Sequence, residues 1–433
     1  MLLLLGASHV ALYPVVFTFP VMLCNKAGLT ASEALRLSQV SLVMLGVATI
    51  LQALPRRWVG SGYLCPATGC PSYFSASLLA VKTGGLALMA GMVAVAGLFQ
   101  LGLAWAIRRW RFLRAPEVMG LVALMLGATA ATLAAPLFAG RPSPDMPFNV
   151  KSLAVASVTF LLMVVPLVRG WRWRRYSVLV GLAAGMVLSG LAQAPRPVPA
   201  VPADLPIFAL PPIAHCGWAF DAALLLPFFI AALASSLKGA ACIVACRQMT
   251  GEAIGDEAAE PVGKGVLALG VSNLLGGAAG SMGVSASAGN VGLSLATGVA
   301  SRSVAWVAGV LLIVLGFSPA CVGALLALSM PVLGACLLFV TCFMLLLAFR
   351  LLTAQSFDAR RTFVLGMALA FGFGVDIVPG LFQGSGGTTF SDRLNLATIM
   401  AVGLSLLFQL GAPKAPVSVP APAPAVAPGG PAQ

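Results

Sequence analysis

The chain has 433 residues, 60% of them apolar and only 9% charged, where an ordinary soluble domain carries about 25% charged residues. A mean hydropathy of +1.00 excludes a soluble domain and points to a polytopic membrane protein, since roughly 20 apolar residues make one span. The net charge of +13 would suggest a nucleic-acid partner in a soluble protein, but in a membrane protein it reports topology first. No nucleic acid is expected as a partner, and the lipid bilayer is.

In chain order, the apolar run from Met1 to Cys24 reads as a retained first span rather than a signal peptide, because it has no basic leader and no small-residue cleavage site. Apolar stretches punctuated by charge, Pro and Gly then predict spans near 34–54, 60–80, 84–107, 116–138, 149–168, 176–194, 219–245, 264–281, 283–298, 302–318, 321–348, 361–379 and 393–411. The fold class expected is therefore an all-α polytopic membrane protein of about fourteen segments. Residues 413–433, nearly all Pro, Ala, Val and Gly, cannot bury a core and read as a disordered cytoplasmic tail.

Counting basic residues by side tests this division. With both termini cytoplasmic, seventeen Lys and Arg fall on one side and seven on the other, and Lys238 remains inside a span. That asymmetry supports the even number of spans and the N-in, C-in orientation expected in a bacterial-type inner membrane.

Two segments are poor helices. The third opens Gly60-Ser-Gly-Tyr-Leu-Cys-Pro-Ala-Thr-Gly-Cys-Pro-Ser72, and the tenth reads Gly283-Val-Ser-Ala-Ser-Ala-Gly-Asn-Val-Gly292. Non-helical backbone survives at membrane depth only where protein or water satisfies its polar groups. Each break falls on the third position of a seven-span half, the placement expected of inverted repeats, residues 1–195 and 196–412, with a binding site between the interruptions.

The nine cysteines are an odd number without paired extramembrane spacing, so no disulfide framework is expected, and Cys242 and Cys246 are not read as a metal pair. His9 and His215 lie far apart, and neither a nucleophile motif nor a P-loop occurs. The chain reads as a transporter or channel and not as an enzyme, without cofactor. Lys238 stands out as the one cation deep in a span, where charge is costly and usually functional.

The run Asn290-Val-Gly292-Leu-Ser-Leu-Ala-Thr297-Gly298 resembles the signature of the nucleobase-ascorbate transporter family, N-x-G-x-x-x-x-T followed by Arg, Lys or Gly. Ser8-His9 is similar to that family's Gln-His pair, Gly60-Ser-Gly-Tyr63 to its third span, Phe208-Ala-Leu-Pro211 to the entry to its eighth, and Pro331-Val-Leu-Gly334 to a later stretch. The resemblance implies two inverted repeats of seven spans, with substrate held in a core domain between spans 3, 8 and 10 and a gate domain from spans 5–7 and 12–14. It further implies transport of uracil, xanthine, urate or a related base, driven by H+ or Na+, often by a homodimer.

On this basis Tyr63, Ser235, Lys238, Gly239, Ala288, Gly289 and Asn290 are candidate substrate-binding residues, and His9, Thr297, Ser285 and Ser287 are candidates for support or coupling. Two departures stand against the family pattern: its span-8 glutamate falls on Ser235, and the carboxylate of bacterial uracil permeases at the first signature position falls on Gly289. Lys238 among the missing acids also motivates an alternative, an anion carrier of the same architecture using half-helix N-termini.

Overall fold

The computed structural model describes residues 2–10, 18–55, 59–141, 148–194, 204–252, 256–378 and 393–410. The tail 413–433 lies outside them. The described elements fall in chain order on all fourteen predicted segments. The first span holds α1 (Leu2–Val10) and α2 (Thr18–Ala27), and the second is α3 (Ala31–Ala53). The third is the strand β1 (Ala67–Gly69) running into α4 (Pro71–Arg109).

Helix α4 is 39 residues long, on the order of 58 Å at 1.5 Å per residue, nearly twice a bilayer core. It is divided at Gly84 (φ −145°) and Gly85 (φ +72°), a left-handed conformation that glycine adopts without a side-chain clash. The division separates the third and fourth segments. α5 (Pro116–Phe138), α6 (Val150–Val168) and α7 (Ser177–Ala192) complete the first half. The range of α5 coincides with the one predicted.

The second half repeats this order. It comprises α8 (Leu225–Met249), α9 (Ala259–Ala279), the strand β2 (Val284–Ala286) running into α10 (Ala288–Thr297), then α11 (Arg302–Gly316). α13 (Met330–Leu352), α14 (Ala359–Ile377) and α15 (Arg393–Leu410) close it. One boundary differs from expectation. Residues 319–326 form a separate short helix, α12 (Pro319–Leu326), bent 96° from α11, and the expected span 321–348 breaks at 327–329, where Ser329 precedes α13 and Pro331 sits in its first turn.

The helices sort into two packed groups. In one, α4 packs on α9 and α8, and α11 on α3 and α1; in the other, α13 packs on α5 and α6, α7 on α6, and α14 on α15. Segments 1–4 and 8–11, with the short helix α12, thus form one bundle, and segments 5–7 with α13, α14 and α15 the other. The bundles meet where α10 and α8 contact α13, α5 and α15.

At the centre of the first bundle, β1 and β2 form an antiparallel pair with Ala67 opposite Ala286, Thr68 opposite Ser285 and Gly69 opposite Val284. Cys70 N–H donates to Gly283 O at 3.2 Å and Ser287 N–H to Pro66 O at 2.8 Å, extending the ribbon by one bond at each end. The third segment of each half therefore runs against its counterpart, as inverted repeats require. Because a three-residue strand spans on the order of 10 Å, the N-termini of α4 and α10 flank this ribbon closely.

Candidate functional site

Buried polar residues collect around the ribbon in three clusters. The first fixes the signature asparagine. Ser287 caps α10, its Oγ accepting from Asn290 N–H at 3.2 Å and from Asn290 Nδ2 at 3.1 Å. His9 Nδ1 donates to Asn290 Oδ1 at 3.0 Å. The structure thus brings His9, Ser287 and Asn290 together, all buried, and joins the first span to the tenth.

The second cluster holds β2 against its neighbours. Asn273 on α9 accepts from Val284 N–H at 2.7 Å and donates to Val284 O at 3.0 Å, so one side chain replaces a missing strand partner. Asn273 Nδ2 also donates to Gln100 Oε1 at 2.6 Å. Gln100 Nε2 in turn donates to Ser236 Oγ at 3.1 Å and Ala232 O at 3.2 Å on α8. Ser235 and Ser285 belong here, with Ser285 Oγ donating to Ser235 O at 3.0 Å and Ser235 Oγ to Val284 O at 3.3 Å. Ser235 is therefore engaged with backbone.

Lys238 forms the third. It is 1% exposed, and its Nζ donates to Cys70 Sγ at 3.7 Å. Cys70 precedes α4, whose N-terminus has no side-chain cap, so the partial positive charge of the helix end faces the same region. Cys70 Sγ is also 2.6 Å from Ser72 Oγ. Arg247 pairs with Glu252 and Arg361 with Glu117, both away from Lys238.

The other candidates are placed differently. A Cβ on Gly289 would lie 2.6 Å from Val340 Cγ2, and one on Gly292 would collide with the Phe343 ring. Both glycines thus let α10 approach α13 of the second bundle. Gly239 turns toward Leu269 on α9, where a Cβ would meet Leu269 Cδ1 at 2.6 Å. Ala288 is buried at the first position of α10. Thr297 Oγ1 donates back to Leu293 O at 2.7 Å within its own helix. Tyr63 is not brought to the ribbon clusters. Its OH donates to Glu252 Oε2 at 2.8 Å and accepts from Arg247 Nη1 at 3.1 Å, at the end of α8.

Gln100, Asn273 and Tyr73 were not singled out from the sequence. Tyr73 is fully buried, with its ring against Gly283 and its OH 3.5 Å from Asn273 Nδ2. Gln100 is isolated in an apolar run and Asn273 is the one amide side chain of α9, and an amide inside a span is the signal that could have marked them. Between the bundles, beside the last turn of α8, a cleft is lined by Arg111, Arg114, Met119, Val244, Gln248 and Leu351.

The arrangement offers hydrogen-bonding groups, a buried cation and a junction between two bundles. Among the described residues no cluster of His, Cys, Asp or Glu is arranged to hold a metal.

The Xan_ur_permease family model, described as a permease family, matches residues 2–381. Xanthine permease XanP of Escherichia coli K12 is 26% identical over 388 residues, covering 86% of this chain and 83% of that protein. Uric acid permease PucK of Bacillus subtilis 168 is 23% identical over 425 residues, covering 95% and 96%. The solved transmembrane domain of a cyanobacterial bicarbonate transporter, BicA, shares the fold with a TM-score of 0.56 at 14% identity, covering 93% of this chain and 96% of that one.

Proposed function

From the premise that the chain belongs to the Xan_ur_permease family of permeases, and is a multi-pass membrane transporter and not an enzyme, we propose that it carries a nucleobase across the bacterial inner membrane. The substrate class is a purine or pyrimidine base such as xanthine, urate or uracil. The observation that carries this reading is end-to-end similarity to a xanthine permease and a uric acid permease, combined with a buried polar ribbon at the junction of two helix bundles.

Transport then works by movement of the first bundle, as core, against the second, as gate. The contact of α10 with α13 lies on this boundary, where Gly289 and Gly292 let the Val340 side chain and the Phe343 ring rest directly on the α10 backbone. The substrate lies between β1, α8 and α10. Asn290, oriented by His9 and Ser287, presents hydrogen-bonding edges, and Ser235 and Ser285 shape the ribbon from behind. Both termini face the cytoplasm, as the seventeen-to-seven basic bias suggests. A homodimer and coupling to H+ or Na+ follow from the family resemblance. The named relatives favour a base over an inorganic anion as cargo.

The test is uptake of radiolabelled xanthine, urate and uracil into proteoliposomes carrying the purified chain. Saturable uptake of at least one base supports the reading. Absence of uptake and of binding for all three refutes it.

A further inference from the structure

Lys238 lies thirteen residues after the start of α8 and eleven before its end, on the order of 16 Å from the nearer terminus. That is farther than a lysine stem reaches, so the ammonium cannot snorkel to a membrane interface. The titratable groups facing it are thiols: Cys70 at 3.7 Å, with Cys65 from the third segment and Cys242 from α8 in its field. Among the described residues no carboxylate pairs with it. The uncapped N-terminus of α4 adds a second positive element at Cys70.

A buried ammonium held against the residue that opens a helix is costly without a negative partner, and the two together make a subsite for an anion. At Ser235, one turn before Lys238, and at Gly289, no acid stands to supply that charge internally.

We infer that Lys238 is the resident counter-charge of the transport site, and that the site takes the deprotonated, anionic form of an oxidised purine. This deepens the nucleobase reading and rests on it. Urate is an anion at neutral pH, whereas hypoxanthine and uracil are neutral, so charge recognition separates substrates of nearly the same shape.

The probe is equilibrium binding of radiolabelled urate and hypoxanthine to the purified full chain. Wild type is expected to bind urate about tenfold or more tighter than hypoxanthine, the ratio that one charge-assisted hydrogen bond supplies. Lys238→Gln should erase that preference and Lys238→Arg should keep most of it. Because Lys238→Gln could fail to fold, the wild-type protein supplies a second readout. Its urate affinity should fall as acidification protonates urate, while hypoxanthine affinity stays level over the same range. Equal binding of both bases, an unchanged preference in Lys238→Gln, or urate affinity indifferent to protonation overturns the inference and leaves base transport standing. No binding of any base overturns both.

Discussion

His9 Nδ1 donates to Asn290 Oδ1 at 3.0 Å, a hydrogen bond that spans 281 positions of sequence and ties the first span to the half-helix of the tenth. Asn290 Nδ2 is held in turn by Ser287, so the amide plane is fixed from both sides before any substrate arrives.

Replacing Asn290 by Ala leaves a buried His9 N–H without its acceptor, at a cost of about 1–2 kcal/mol. Expected outcomes are a lower thermal midpoint in detergent and loss of base uptake. His9→Ala should leave a smaller defect in uptake, because Ser287 still orients the amide. Equal uptake by wild type and Asn290→Ala would remove Asn290 from the site.

The Asn273 side chain closes β2 by pairing with both the N–H and the C=O of Val284. Asn273→Ala orphans Val284 N–H and Gln100 Oε1 and leaves Val284 O only the Ser235 hydroxyl, so a destabilisation of about 2–4 kcal/mol is expected from the usual cost of each buried unsatisfied group. Thermal unfolding of the purified variant measures it. A midpoint unchanged from wild type would show that the ribbon does not depend on this clamp.

Gly289 abuts Val340 on α13. Gly289→Glu, which installs the carboxylate found at this position in bacterial uracil permeases, should overpack the contact by about 1–3 kcal/mol and slow transport. Adding Val340→Ala should recover part of the loss. No recovery in the double variant would place the defect elsewhere than in this contact.

Tyr63 bridges Arg247 and Glu252, which also pair directly at 3.0 Å. Tyr63→Phe removes one hydroxyl from a triad whose ion pair survives. A stability loss of about 1 kcal/mol with base affinity unchanged is expected, read by melting and by binding on the same preparation. A selective loss of affinity would return Tyr63 to the substrate site.

These residues also show what the sequence alone made legible. Span positions followed from hydropathy and charge, because a bilayer imposes one length on every crossing, and α5 lies on its predicted range. The strand-and-half-helix segments were visible because Gly, Pro and Ser interrupt apolar runs in only a few places. The short helix α12 escaped because the break that ends it, before Ser329 and Pro331 of α13, lies inside an apolar stretch read as one span. Asn290 with its Ser287 cap could be read locally. The partners of Tyr63 and Asn273 could not, since Arg247 and Gln100 lie 184 and 173 positions away and no local pattern encodes such a meeting. Lys238 was conspicuous by charge, but its neighbour Cys70 emerged only from the fold.

The most direct measurement of the central claim is time-resolved uptake of radiolabelled xanthine and urate by proteoliposomes containing the full chain, with protein-free liposomes as reference. The predicted result is saturable uptake of at least one of these bases, competed by the unlabelled base and abolished in Asn290→Ala. A folded, correctly reconstituted protein that neither transports nor binds xanthine, urate or uracil would contradict it.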